Sequence, residues 1–305
     1  MPPLPFRRHA SRFIFALALL PAGCSGDVPP ASTPARSVLA PEENVIRLAG
    51  SGALLPLARL FGAACPCATG ASPPIVVEDS IGSGGGVRAT AEGAVDVGLI
   101  SRALSDGEAQ HKLIVIPIAL DAVLIAANPD VRAAGVSTGE LVALYGGDRW
   151  TFEDGTPASV LLRDRGESAN LVLDVLPGMA AARERSYASG RHLGFPIVYH
   201  DDAMVAALAL TPRAIGVSSL GVLMASRIPL RVLAIDGRLP SVETLADKSW
   251  PLRRTLAFVM RPERAWRIRP LLDFVFSDTG RRLAREHGYL PLPPAAVTTS
   301  ATVPR

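Results

Sequence analysis

Short β-branched runs alternate with helical repeats along this chain, and the two periods together predict an α/β fold. Residues 45–49 (VIRLA) read as a first strand, followed by Gly50, Ser51 and Gly52 and then a helix from about Ala53 to Ala64. Leu54, Leu57, Ala58 and Phe61 recur there at helical spacing and form the face that packs on a sheet. Pro56 falls near the first turn, where its missing N–H is tolerated. Residues 74–78 (PIVVE) predict a second strand, ending before Gly82-Ser83-Gly84-Gly85-Gly86. A helix over 87–92 stopped by Gly93 follows, then a third strand over 95–100 that delivers Ser101 and Arg102 at its carboxyl end.

Beyond this point the pattern continues. Residues 113–127 (LIVIPIALDAVLIAA) exceed the usual length of one strand and are interrupted by Pro117 and Asp121, so two segments are expected. A helix over 138–145 ends at Gly146-Gly147, with Trp150 on the following turn. A strand over 159–162 runs into the polar turn from Arg163 to Ala169, and a helix is expected from about Ser168 to Leu176. His200-Asp201-Asp202 precedes an apolar helix over 203–210; an Asp helix cap accounts for it better than a metal site. Strands are expected over 214–219, with Ser218 and Ser219 at its end, and over 231–235; a short capped helix is expected over 241–245. Residues 262–276 read as one amphipathic helix with Trp266, Ile268, Leu271, Leu272, Val275 and Phe276 inward, and 281–286 as the last helix, opened by Asp278-Thr279-Gly280. No tandem repeat is present.

Four glycines in the five positions from 82 to 86 let the backbone approach a ligand closely. A strand, a glycine-rich turn and a helix start aim free N–H groups and a positive helix end at one spot, an arrangement that stabilises an anion. Ser51 lies at another helix start, where its hydroxyl either caps the helix or meets an anion. The turn after Arg163 repeats the geometry. Gly84-x-Gly86-x-x-Ala89 also satisfies a dinucleotide fingerprint. The next strand, however, ends in Ser101-Arg102 with no acid placed to hold a ribose, no Gly-Lys-Ser/Thr phosphate loop occurs, and no believable Ser/His/Asp set appears. A dinucleotide-binding enzyme is therefore the weaker reading, and no catalytic residue and no cofactor are expected. None of the five histidines has a second ligand at metal-binding helical spacing, so no metal is expected.

The composition fits a folded, exported protein. With 305 residues, 49% hydrophobic and 19% charged, the chain can bury one large core or two medium ones. Arg7, Arg8 and Arg12 precede an apolar run over 13–20 and then Pro21-Ala22-Gly23-Cys24, which reads as a secretory signal peptide over 1–23. The ending predicts a lipoprotein cleavage site with Cys24 as the lipidated first residue, although Pro21 stands where an aliphatic residue is usual. Residues 24–43, rich in Pro, Ala and Ser, read as a flexible tether, and 295–305 as a polar tail. Removing 1–23 takes away three arginines and no acid, leaving 28 basic against 28 acidic residues, so no global field points to nucleic acid. Cys65 and Cys67 flank Pro66; the spacing is not that of a Cys-x-x-Cys redox pair, and a local clip or two inert thiols is preferred.

The stretch GSGGGVRATAEGAVDVGLISRALSDGE resembles the signature of the phosphate-binding protein family of ABC importers, and the resemblance extends over about residues 45 to 292. The ending LLDFVFSDTGRRLAREHGYLPLP is similar to that family's as well. The resemblance implies a two-lobe periplasmic-binding-protein type II fold, each lobe a mixed sheet flanked by helices, joined by a two-strand hinge. Lobe 1 would comprise 44–121 plus 252–294 and lobe 2 residues 122–251, with a long strand near 113–127 and a partner at 255–260 forming the hinge. It implies capture of a small oxyanion, phosphate first and molybdate or tungstate as alternatives, by a monomer that serves the membrane subunits of an ABC importer or reports to a sensor. The ligand set it implies is Ser51, Gly52, Ala53, Ser83, Gly84, Gly85, Ser101, Arg102, Arg163, Glu167, Ser168 and Ala169. In the family the last turn resembles Arg-x-x-Gly-Ser-Gly-Thr; here Arg163 and Gly166 match, while Glu167, Ser168 and Ala169 depart. A carboxylate beside an oxyanion is repulsive unless it accepts a proton from the ligand or pairs with an arginine, so Glu167 either faces the ligand or pairs with Arg163 or Arg165.

Overall fold

The computed structural model describes residues 45–68, 73–193, 196–294 and 298–299; the leader, Cys24, the tether and most of the tail lie outside them. In chain order the elements are β1 (Ile46–Gly50), α1 (Leu55–Ala64), β2 (Ile75–Ser80), α2 (Gly82–Ala91), β3 (Val97–Ile100), α3 (Asp106–Ala109), β4 (Ile114–Ala127), β5 (Gly135–Val136), α4 (Thr138–Gly146) and β6 (Ser159–Arg163). Then come α5 (Ser168–Leu173), α6 (Met179–Leu193), β7 (Ile197–Val198), α7 (Asp201–Leu210), β8 (Ala214–Ser219), α8 (Leu220–Ser226), β9 (Arg231–Val232) and β10 (Ala234–Ile235). The chain closes with α9 (Val242–Ala246), β11 (Arg253–Met260), α10 (Arg269–Phe276), α11 (Asp278–Glu286), β12 (Tyr289–Pro291) and β13 (Thr298–Thr299). Among the described residues no helix is long and apolar enough to cross a membrane.

The strands order as β2-β1-β3-β11-β4-β8-β6-β7. β1 pairs in parallel with β2 and β3, and β6 in parallel with β7 and β8, whereas β11 and β4 are antiparallel to their neighbours. The apolar cores divide along β4. Ile116, Ile118 and Ala119 join Leu48, Leu54, Leu57, Phe61 and Phe258 in one cluster. The residues from Ala122 to Ala127 join Leu144, Tyr145, Leu161, Leu173 and Trp250 in another. The architecture is a curled, mixed α/β sheet flanked by helices.

Several elements depart from expectation, each for a physical reason. The stretch 113–127 forms one strand, not two. Pro117 lies at an irregularity where the pairing with β11 slips by one residue, and a residue at a bulge can do without its N–H. Asp121 is neutralised by a residue on the paired strand, described below. The glycine-rich stretch is not a loop but the first turns of α2: Gly82 takes φ +70° to bend the chain off β2, and the helix starts at once. At Gly86 a Cβ would lie 3.0 Å from Ala49 O, Gly50 Cα and Leu99 O, so only glycine lets α2 sit this close to β1 and β3. The helix expected over 262–276 is broken into a short turn at Pro262–Arg264 and α10, because Pro270 belongs in a first helical turn and cannot continue a helix from upstream. Trp266 falls in the break and is 71% exposed rather than inward. The helix at 203–210 starts two residues earlier with His200 at the cap position, so neither Asp201 nor Asp202 is the cap. Cys65 and Cys67 form a disulfide, the local clip among the sequence readings. Helices α6 and α8 have no counterpart among the sequence expectations.

Candidate functional site

Four serine hydroxyls meet at one point. Ser51 follows the carboxyl end of β1, Ser101 follows β3, Ser83 lies in the first turn of α2, and Ser168 opens α5. Ser101 is the hub: its Oγ lies 2.7 Å from Ser51 Oγ, 3.3 Å from Ser83 Oγ and 2.7 Å from Ser168 Oγ, and its backbone N–H donates to Ser83 Oγ at 3.2 Å. All four side chains are buried. Local structure explains the convergence. β1 and β3 are parallel neighbours, so their carboxyl ends bring Ser51 and Ser101 side by side, and Ser51 N–H donates to Leu99 O at 2.8 Å. The close packing of α2 at Gly86 sets Ser83 against Ser101. Ser168 arrives from the other cluster, since the rest of α5 packs Ala169, Val172 and Leu173 into the second core.

Beside the serines lies Arg163, at the end of β6 and 1% exposed. Its Nη2 contacts Glu167 Oε2 at 2.9 Å and Asp201 Oδ2 at 3.6 Å and donates to Tyr199 O at 3.4 Å. Nε and Nη1 are buried without a partner among the described residues. A buried guanidinium with two unpartnered donors is costly unless something accepts from them, so this side chain is suited to an anionic guest. Asp201 also reaches towards the turn after β1, where a Cβ on Gly52 would lie 2.4 Å from Asp201 Oδ2. Gly52 and Asp201 border a cavity of about 900 Å³ that runs out between α1, α7 and α8.

Not every residue of the expected ligand set stands in this cluster. Ala53 and Ala169 are buried in the two apolar cores. Gly84 and Gly85 face Arg102 with Glu108, and Ile81, respectively. Arg102 forms a two-bond fork with Glu108, Nη1 to Oε2 and Nη2 to Oε1, each 2.7 Å. Glu108 also closes a capping box with Ser105 at the start of α3. The Arg102 hydrogen bonds hold the Glu108 carboxyl down to about 2, from an ordinary value of 4.5. A lowered carboxyl contributes stability that is present above its unfolded value and is lost as the pH falls through its folded value. Comparison of unfolding midpoints between the native chain and Glu108→Gln should therefore show a gap above about pH 4.5 that closes towards about pH 2.

Two participants escape a reading of the sequence. Arg254 on β11 and Asp121 on β4 are register partners, both buried, with Nε donating to Asp121 Oδ2 at 3.1 Å and Nη2 at 3.0 Å from the same oxygen. Arg254 Nη1 also donates to Ser168 Oγ at 3.0 Å. Burial pushes the Asp121 carboxyl up, with Arg254 opposing it. The one signal was an acid among fourteen otherwise apolar strand positions, a placement that calls for a buried cation. Ser219, also buried, hydrogen-bonds the Asp121 carboxyl and helps to oppose its upward shift, and Ser218 is buried with a hydroxyl that has no partner among the described residues.

The curled mixed sheet, with hydroxyl-bearing turns gathered between its two larger apolar clusters, has the type II periplasmic-binding-protein fold. A family model described as the PBP superfamily domain matches residues 37–279, and the chain belongs to that family. A Clostridium perfringens substrate-binding protein solved with bound phosphate is similar at 19% identity and a TM-score of 0.69, covering 82% of this chain and 100% of that one. A phosphate-binding protein from Stenotrophomonas maltophilia aligns at 13% identity, TM-score 0.64, over 82% of this chain and 91% of its own. An ABC-type phosphate transport receptor from Vibrio cholerae aligns at 18% identity, TM-score 0.55, over 80% and 99%. No curated protein matched the sequence.

Proposed function

We propose that this chain is an exported solute-binding protein that captures phosphate for an ABC importer. The observation that carries the reading is the meeting of four buried serine hydroxyls, from turns of both cores, beside a buried arginine with two unpartnered donors. Hydroxyls and guanidinium donors are what a tetrahedral oxyanion accepts from. The division of the apolar clusters along β4 supports two lobes, 44–121 with 252–294 and 122–251, that shut on the ligand and exclude water. Ser51, Ser83, Ser101, Ser168 and Arg163 form the first ligand set, with the backbone at Gly52 beside them; Arg102, held by Glu108, serves the structure of the α2–α3 corner. Cys24 is the proposed lipid anchor, and the importer's membrane subunits are the proposed partners. The site is assigned to capture rather than catalysis.

Glu167 and Asp201 bear on which oxyanion is held. Both carboxyl groups lie beside one guanidinium, so a guest that carries a proton can donate it to a carboxylate oxygen, whereas a guest without one has nothing to offer that oxygen. Phosphate keeps a proton at neutral pH; sulfate, molybdate and tungstate do not. Calorimetric titration of the mature chain with all four anions tests the reading, phosphate being expected to bind most tightly; binding of none of them refutes it. Glu167→Gln is expected to tighten sulfate binding about tenfold, some 1.4 kcal/mol, and so to narrow the preference for phosphate. Competition titrations of sulfate against phosphate on the two forms check this.

A further inference from the structure

We propose that Arg254 is a positioning residue for the anion site: anchored by Asp121 across the paired strands β4 and β11, it commits the Ser168 hydroxyl to donating. The inference rests on the reading of the serine cluster as the place where the anion is held. A guanidinium has no acceptor, so in the contact between Arg254 Nη1 and Ser168 Oγ, at 3.0 Å, the serine oxygen accepts. The guanidinium charge repels the hydroxyl proton, which turns to the other neighbour, Ser101 Oγ, 2.7 Å away. Ser101 accepts there and passes its own proton on to Ser51 Oγ or Ser83 Oγ, at 2.7 and 3.3 Å. The hydroxyls thus form a polarised chain that begins at a buried cation, and each bond strengthens the next.

This polarity matters for an anion, towards which a serine is useful only as a donor. A serine free to rotate spends part of its time presenting a lone pair; beside Arg254 one of the two lone pairs of Ser168 is occupied and its proton is turned away from the cation, so that it can swing from Ser101 to an arriving anion. Arg254 suits the task by its shape. Its planar fork reaches Asp121 through Nε and Nη2 while Nη1 remains for Ser168, a division that the single point charge of lysine does not reproduce. Asp121 falls on β4 between Ala119 of one apolar cluster and Ala122 of the other, and Arg254 falls between Leu252 and Leu256 of the same two clusters, so the donor chain is anchored where the clusters meet.

The test is a double-mutant cycle read by calorimetric titration with inorganic phosphate. The paired change Asp121→Asn with Arg254→Gln leaves no orphaned buried charge, and it is compared with Ser168→Ala alone and with all three substitutions together. The paired change is expected to weaken binding about tenfold or more, and the triple variant to fall short of the product of the separate losses by about fivefold or more. A smaller shortfall, or unchanged affinity in the paired variant, overturns the proposal and marks Arg254 as a packing residue. Should the paired variant not fold, Arg254→Lys, which keeps the charge beside Asp121, takes its place in the same cycle with the same two outcomes. Losses that simply multiply remove this inference alone, whereas no phosphate binding by the unaltered chain removes both it and the functional reading.

Discussion

Replacing Arg163 by alanine is expected to weaken phosphate binding by at least a hundredfold. The side chain is 1% exposed, and among the described residues its Nε and Nη1 have no partner, which leaves them free to donate to the proposed ligand. Truncating one member of a buried, hydrogen-bonded charge pair costs about 2–5 kcal/mol, which spans the hundredfold figure. A second effect acts in the same direction. Glu167 and Asp201 now share one guanidinium, and without it they confront each other and the incoming anion as uncompensated like charges. Arg163→Lys, which restores charge without the fork, is expected to bind between the two. Calorimetric titration measures all three forms. A loss below about tenfold for the alanine variant means that the anion does not engage Arg163.

The second large effect falls on stability. Arg254→Gln leaves the Asp121 carboxylate, wholly buried between β11 and β12, with no counter-charge. Breaking a buried pair by removing one partner costs about 3–5 kcal/mol, a large part of the stability of a domain. Adding Asp121→Asn removes the orphaned charge and is expected to return most of that loss, because a neutral pair of similar volume avoids the cost of desolvating an ion. Denaturant midpoints of the single and paired variants measure the difference. If the single variant is as stable as the native chain, Asp121 is not held by Arg254 in the way the geometry indicates.

What the sequence made legible was local. The strands before Ser51 and Ser83, the turn after Arg163 and the helix that Ser168 opens could each be read from a few neighbouring residues, because turn chemistry and hydrophobic period act over such distances. The pairs that complete the site could not. Arg254 is 133 residues from Asp121, and their contact depends on the register of β4 against β11, which no local pattern encodes. Asp201 carried the signature of a helix cap, and its reach to Arg163 follows only from the packing of α7 beside β6. The long strand was hidden for a related reason: Pro117 and Asp121 look like interruptions, and what makes each tolerable, a slipped pairing and a buried arginine, lies on another strand. Trp266 shows the opposite failure. Its apolar character promised burial, but Pro270 restarts the helix and turns that ring outward.

The unbroken course of β4 has a mechanical consequence. Its first half is laced to β11 and β12 and its second to β8 and β9, so no slack tether separates the two halves of the molecule. Any opening must flex a laced ribbon, as a leaf spring flexes, rather than swing on a loose joint. If the proposed lobes do open, the ladder of paired strands resists sliding and sideways displacement more than it resists bending, so the two halves keep their alignment.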